Sequence, residues 1–118
     1  MKRFLLLLIA SSTFTIISAS AHAKNAKCFY EVEGDTLLND TCIFTPKGEG
    51  SFVLSGKSLS KSKDLSADKI YLNVVKPDVA GLSFTKGKKV TNDGVYLRDE
   101  NDSACWESAE YPARLCVW

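Results

Sequence analysis

Residues 70–85, IYLNVVKPDVAGLSFT, decide the fold class of this 118-residue chain. The runs 70–75 and 79–85 are rich in β-branched, aromatic and other apolar residues, a composition that favours strands over helices. Pro77-Asp78 lies between them, and both residue types are typical of turns. The stretch therefore predicts two strands separated by a turn.

The rest of the chain after residue 23 has the same character. It contains further short strand-like runs, and we predict turns or loops between them at Gly34-Asp35, Asn39-Asp40, Pro46–Gly50 and Asp93-Gly94. The polar stretch 56–68 is predicted to be a loop, with at most one helical turn within 64–69. No segment has a sustained helical period. Seven to nine short strands predict an all-β domain, a small antiparallel barrel or sandwich.

The first 23 residues have the pattern of a cleaved signal peptide. Lys2 and Arg3 give a positive start, residues 4–17 are largely apolar, and Ala21-His22-Ala23 is a small-x-small cleavage site. The apolar run is short for a membrane span. We therefore expect residues 24–118 to form one exported domain, periplasmic or secreted, with no stable membrane insertion after cleavage.

The cysteines fit an oxidising compartment. Cys28, Cys42, Cys105 and Cys116 are an even number, so two disulfides are expected. Three pairings are possible, and we favour Cys28–Cys42 with Cys105–Cys116 because each is local and can cross-link neighbouring strands. The four cysteines could instead bind zinc, but no C-x2-C pair is present. The sequence thus predicts a disulfide-stapled domain with no metal site and no cofactor.

Cleavage after Ala23 would also restrict the chemistry of the domain. It removes His22, the single histidine, and leaves 13 basic residues against 14 acidic ones. Without histidine the domain cannot use Ser-His-Asp or Cys-His catalysis or a histidine-ligated zinc. Its near-neutral charge gives no support to nucleic-acid binding. We expect a protein without catalytic residues that is not an enzyme.

Charge is distributed unevenly along the chain. Nine lysines and four acids lie between Lys47 and Lys89, whereas six acids and one arginine lie between Asp93 and Glu110. The simpler interpretation is a solvated surface, and the alternative is a pair of charged faces that steer a partner. For Trp106, core packing is favoured over a binding role. The candidate binding residues are Lys57, Lys61, Lys63, Lys86, Lys88, Lys89, Asp99, Asp102 and Trp106.

The acidic segment offers two further alternatives. Five of its residues have the spacing of a calcium loop, but Ala104 stands where that loop needs glycine. The same acids could form a carboxylate pair for glycoside hydrolysis, although a small stapled domain has little room for a sugar cleft. We rank both below an ordinary acidic turn. The five residues are Asp99, Asn101, Ser103, Glu107 and Glu110.

Short motifs carry a family resemblance. The tail, Ala104-Cys105-Trp106 followed by residues 113–118, resembles the ending of a group of small exported proteobacterial proteins. Residues 28–42 resemble their cysteine-led hairpin, and residues 70–74 fit their central strand. The resemblance covers most of the mature chain and implies a shared fold and disulfides. It carries over no catalytic residue.

These observations favour a protein that works by binding. A rigid scaffold with charged loops and no catalytic group is typical of inhibitor and immunity proteins, so we expect the partner to be another exported protein. The alternative is an envelope structural or stress protein with weak glycan or metal binding. A small hydrolase is the third possibility.

Overall fold

A computed structural model describes residues 22–118, which form an antiparallel β-barrel. Each strand pairs with the next along the chain, and the last pairs back onto the first. The predicted signal peptide, residues 1–23, falls almost wholly outside the described residues. The elements within them are β1 (Lys24–Val32), β2 (Asp35–Gly48), β3 (Ser51–Ser55), α1 (Lys57–Lys61), β4 (Lys69–Lys76), β5 (Val79–Lys86), β6 (Lys89–Arg98), β7 (Cys105–Ser108) and β8 (Ala113–Val117).

Closure of the barrel depends on the pairing of β1 with β8. Tyr30 lies opposite Leu115, and Phe29 lies opposite Cys116. Closure pairs residues 28–32 of β1 with β8, so the two terminal strands protect each other's backbone groups along that stretch. The prediction of an all-β domain is confirmed. Of the two predicted architectures, barrel and sandwich, the structure has the barrel. The strands at 70–75 and 79–85 are also confirmed, as β4 and β5.

Alternating side chains fill the barrel interior, as the two-residue period of a strand requires. In β4, Ile70 and Leu72 are fully buried, whereas the intervening Tyr71 is half-buried on the outer wall. The other strands contribute side chains to the interior in the same way. The largest fully buried side chains are those of Tyr96, Leu54, Leu59, Ile70, Leu72, Leu82 and Leu115.

Both disulfides join neighbouring strands, and the favoured pairing is confirmed. Cys28–Cys42 connects β1 to β2, with the two Cα atoms 5.8 Å apart. Cys105 and Cys116 are direct cross-strand partners on β7 and β8, with their Cα atoms 4.0 Å apart. Two disulfides in so small a domain indicate an oxidising environment.

The connection between β3 and β4 covers a gap in the wall. β3 pairs only with the second half of β2, so the first half has no strand on that side. Residues 56–68 pass along it instead: Ser58 donates its hydroxyl to the Thr41 carbonyl at 2.8 Å, and Ser62 donates to the Leu37 carbonyl at 2.7 Å. Leu59 between them is fully buried. The connection is therefore a fixed part of the barrel.

The helix in this connection does not lie where the sequence predicts a helical turn. We predict a turn within 64–69, whereas the helix is α1, residues 57–61. It forms there because the buried Leu59 anchors that turn in the core. Within the described part of the chain, no helix is long and apolar enough to cross a membrane.

Two of the predicted turns in the first half of the chain need correction. Asn39-Asp40 is not a turn but the middle of β2, where the two residues pair with Phe29 and Cys28 of β1. The strand pairing that surrounds the Cys28–Cys42 disulfide outweighs the turn preference of Asn and Asp. The loop predicted at 46–50 is shorter than expected, because β2 continues to Gly48 with a register shift beside Pro46.

The predicted turn at Asp93-Gly94 is also wrong. Both residues lie inside β6, where Asn92 pairs with Ser83 and Gly94 pairs with Leu82. Asp93 is therefore the extra residue of a β-bulge, and Gly94 has a φ of 91°, which glycine adopts readily. The bulge changes the direction of the Asp93 side chain, with consequences for the site described below.

Candidate functional site

The six predicted binding lysines lie in two connections, β3–β4 and β5–β6, which meet at one end of the barrel. The first connection reaches that end after passing along β2, so Lys57, next to Ser58 and the Thr41 carbonyl, lies furthest from it. In an up-and-down barrel alternate connections meet at the same end, so the β3–β4 connection lies at the same end as the β5–β6 turn. All six lysines are exposed. We call them the basic rim: Lys57, Lys61 and Lys63 from the first segment, and Lys86, Lys88 and Lys89 from the second.

Asp68 joins the two segments of the basic rim. Its carboxylate accepts the Gly87 N–H at 2.8 Å and lies 3.6 Å from the Lys86 ammonium. Its own N–H donates to the Thr85 carbonyl at 2.7 Å. The Gly87 hydrogen bond and the charge of Lys86 hold the pKa of Asp68 below its usual range, so the carboxylate is ionised at neutral pH. The loop and the hairpin therefore form one surface.

A pocket of about 320 Å³ lies within this surface. Leu65 and Phe84 supply apolar area to it, and Lys86 and Lys89 supply charge. Apolar area bordered by polar groups is the general arrangement of protein interfaces. Among residues 22–118, Lys86 is the one rim lysine with a salt bridge, so five ammonium groups are available to a partner. The lining residues are Leu65, Ser66, Phe84, Thr85, Lys86, Lys89 and Thr91.

The two predicted acidic residues lie at the other end of the barrel, in the β6–β7 connection. Asp99 accepts the Asn101 N–H at 2.8 Å and an N–H of Arg114 at 2.6 Å, and these bonds lower the pKa of Asp99. Asp102 accepts the Ala104 N–H at 3.0 Å and the indole N–H of Trp118 at 3.2 Å. Both carboxylates thus stabilise their own turn, and the structure does not bring them to the basic rim.

The residues predicted as a possible calcium loop do not come together as a metal site. In the described residues, no group of three or more His, Cys, Asp or Glu side chains is arranged to hold a metal ion. Glu107 lies on β7, where it binds Arg114 at 2.8 Å. Glu110 lies beside Gly94.

Trp106 belongs to the core and not to the surface. It is 2% exposed and lies opposite Leu115 of β8. The Arg98 guanidinium is stacked 4.5 Å from the centre of the ring. The core-packing interpretation is confirmed, and the ring offers no exposed face for a partner.

A cluster of three tyrosines around Asp93 was not predicted as a unit. One carboxylate oxygen of Asp93 accepts hydroxyl hydrogen bonds from Tyr96 at 2.5 Å, from Tyr111 at 2.5 Å and from Tyr30 at 3.1 Å. Burial raises the pKa of all three phenols, so they remain protonated donors at neutral pH. The residues are far apart in sequence, and the Asp-Gly pair looks like a turn, so no local signal indicates the cluster.

The tyrosine cluster supports the rim pocket from below. The ring of Tyr30 lies 5.6 Å from that of Phe84, which lines the pocket. Tyr111 lies in the β7–β8 turn, at the same end of the barrel as the basic rim. The cluster thereby links β1, β6 and that turn, and it fixes the structure on which the lysines stand.

In comparisons with known proteins, no family model, no curated protein and no solved structure matches the chain.

Proposed function

We propose that this chain is a small exported protein without catalytic activity that binds another exported protein through the basic rim. Inhibitor and immunity proteins work in this way. The observation that carries the proposal is the contact of Asp68 with Gly87, which combines two lysine-rich segments into one exposed surface. Five of its six lysines have no carboxylate partner within residues 22–118, and a protein surface rich in Asp and Glu would complement them.

The rigidity of the rim supports a binding role. A surface that is fixed before binding loses less conformational entropy when a complex forms. Here the rim stands on a closed barrel with two disulfides, and the β3–β4 connection is anchored by Ser58, Ser62 and the buried Leu59. The tyrosine cluster fixes the same end of the barrel from inside.

Two observations, together with the expectation drawn from the family resemblance, support an exported location, most simply the bacterial periplasm. The disulfides need an oxidising compartment, which the cytosol is not. Residues 1–23 have the composition of a signal peptide. The resemblance to small exported proteobacterial proteins points to the same compartment.

The test is capture of the partner by the oxidised protein, purified after export. The bait is offered periplasmic extract and proteins secreted by competing bacteria, and complexes are isolated by gel filtration. The proposal expects one protein retained at near 1:1 stoichiometry. The captured protein should have an acidic surface. Its capture should be lost when the disulfides of the bait are reduced.

Two variants with equal change of charge make the result specific to the rim. Lys61→Glu/Lys88→Glu reverses two rim lysines, and Lys27→Glu/Lys76→Glu reverses two exposed lysines outside it. Capture should be lost with the first variant and kept with the second. A folded bait that captures nothing, or equal capture by both variants, would contradict the proposal.

A further inference from the structure

The outer wall of the barrel carries a second feature, a groove of about 260 Å³ on strands β2, β3 and β4. Thr45, Val53 and Tyr71 form one cross-strand row along its floor, because Thr45 pairs with Val53 and Val53 pairs with Tyr71. Lys47 and Lys69 flank this row. The groove is thus a short channel that has one aromatic ring, that of Tyr71, in its floor and one lysine on each side.

The polar side chains that line the groove form no hydrogen bond or salt bridge with other described residues. Val53 is 7% exposed and forms the floor, whereas Thr45, Ser55 and Tyr71 are half-buried. None of the three hydroxyls has a hydrogen-bond partner in the protein among residues 22–118. Neither Lys47 nor Lys69 forms a salt bridge within this part of the chain. Three hydroxyls and two ammonium groups that can donate hydrogen bonds therefore line one groove, and of these only Lys69 has a further charge interaction among the described residues, with Asp68.

The charge around the groove selects for anions. Strands β3, β4 and β5 contain no aspartate or glutamate at all, and neither does the part of β2 that pairs with β3. An anion in the groove therefore faces two ammonium groups and no carboxylate from these strands. Asp68, just before β4, interacts with Lys69 and offsets part of its charge, whereas Lys47 has no such acid on these strands. Lysines on such a face attract negative charge most strongly at low salt.

Combined, these features fit an acidic sugar. The flat ring of Tyr71 can pack against the apolar face of a pyranose, while the threonine and serine hydroxyls match its hydroxyl groups. The two lysines match a carboxylate. The volume is just below that of common small-molecule pockets, so it suits one sugar unit of a longer chain.

We propose that the groove formed by Thr45, Val53, Tyr71 and the flanking Lys47 and Lys69 binds a carboxylate-bearing sugar unit of an acidic polysaccharide. This binding is independent of the protein partner proposed above, since none of the groove residues belongs to the basic rim. The barrel could then hold an acidic glycan on its wall and a protein at its end.

The test is an NMR titration of the oxidised, isotope-labelled protein at low ionic strength. The probe is a tetrasaccharide in which glucuronic acid alternates with N-acetylglucosamine, and the N-acetylglucosamine tetramer is the neutral control. We expect saturable shifts at the amides of Val53, Lys69 and Tyr71 with the acidic probe. The neutral tetramer should bind roughly tenfold more weakly, which corresponds to the loss of one favourable charge contact.

Variants separate the sugar contact from simple attraction of ions. Tyr71→Ala should weaken binding about tenfold, the size of effect expected from loss of one aromatic contact. Lys47→Gln/Lys69→Gln should weaken it similarly, whereas Lys27→Gln/Lys76→Gln should leave the dissociation constant unchanged. The lysine variants alter exposed side chains, so they report on the groove even if Tyr71→Ala unfolds the barrel.

Three results would overturn the proposal. The first is no saturable shift at the groove with the acidic tetrasaccharide. The second is equal shifts with inorganic phosphate at the same concentration, which would reduce the groove to a site for any anion. The third is unchanged binding by the lysine double variant of the groove. The variant Lys61→Glu/Lys88→Glu changes no groove residue. Failure to capture a protein partner would therefore not affect the outcome of the sugar titration.

Discussion

The Asp68 carboxylate accepts the backbone N–H of Gly87 at 2.8 Å, across a separation of 19 residues. This bond joins the β3–β4 connection to the β5–β6 turn, and both carry lysines of the basic rim. Because Asp68 also faces the Lys86 ammonium at 3.6 Å, the contact combines a charged acceptor with a backbone donor. The arrangement of the rim therefore depends on one acidic residue.

Asp68→Ala should free the β5–β6 turn without unfolding the barrel. The Gly87 amide loses its acceptor, so its hydrogen exchange should become roughly tenfold faster or more, as expected for a locally opened turn. Exchange in the core strands should not change. Hydrogen exchange monitored by NMR measures both, and Asp64→Ala, an exposed acid in the same connection, is the matched control. Unchanged protection of Gly87 in Asp68→Ala would show that the bond does not hold the turn.

Asp93→Ala should destabilise the barrel by about 2–4 kcal/mol. The substitution removes the carboxylate that accepts the hydroxyls of Tyr30 and Tyr96, and a hydrogen bond to a charged group contributes about 1.5–3 kcal/mol. The two hydroxyls keep each other as partners at 3.1 Å, so the loss stays below the sum of two such bonds. The free energy of unfolding in urea measures the effect. Asp64→Ala removes an exposed acid and should change this energy by less than about 0.5 kcal/mol. Equal midpoints for the two variants would contradict the role given to Asp93.

Stability should fall as pH rises above about 10, the usual pKa of tyrosine. Burial raises the pKa of Tyr30, Tyr96 and Tyr111, so the folded protein holds these protons more tightly than the unfolded chain does. The stabilisation is complete below the unfolded pKa and is lost above it, as the unfolded phenols ionise first. Urea unfolding at a series of alkaline pH values should show a smaller loss in Tyr111→Phe than in the wild type. A loss of the same size in both would exclude Tyr111 as a contributor.

Each disulfide should contribute about 3 kcal/mol, because each closes a short loop in the unfolded chain. The sequence separations are 14 and 11 residues, so the two contributions should be similar. Cys28→Ala/Cys42→Ala and Cys105→Ala/Cys116→Ala, each with the other disulfide intact, provide the comparison in urea. A pair that could be removed without loss of stability would contradict this account.

The sequence indicates the strands and the disulfides but not how the wall is completed. Runs such as residues 70–75 have high β-propensity, and each pair of cysteines is close in sequence. Strands and disulfide pairing can therefore both be predicted from the local sequence. Asn39-Asp40 shows where local reading fails. Its turn preference is overridden by pairing with β1, a partner that the local sequence does not reveal.

The sequence predicts which charged residues form the candidate site, but it does not predict the contacts that bring them together. The rim lysines stand out as dense basic segments of the chain. The two lysine-rich segments are joined through Asp68 by a hydrogen bond across 19 residues, and the tyrosine cluster includes a hydrogen bond across 66 residues. For Trp106 the sequence favours core packing over a binding role, and its 2% exposure confirms that interpretation.

The measurement that tests the central claim most directly is the dissociation constant of the captured 1:1 complex, determined by titration calorimetry for the wild type and two charge-matched variants. Lys61→Glu/Lys88→Glu should bind at least about tenfold more weakly, a loss of about 1.4 kcal/mol, because two attractive contacts become repulsive. Lys27→Glu/Lys76→Glu should bind as the wild type does. Equal weakening by both variants, or no weakening by the first, would contradict the assignment of the basic rim as the binding surface.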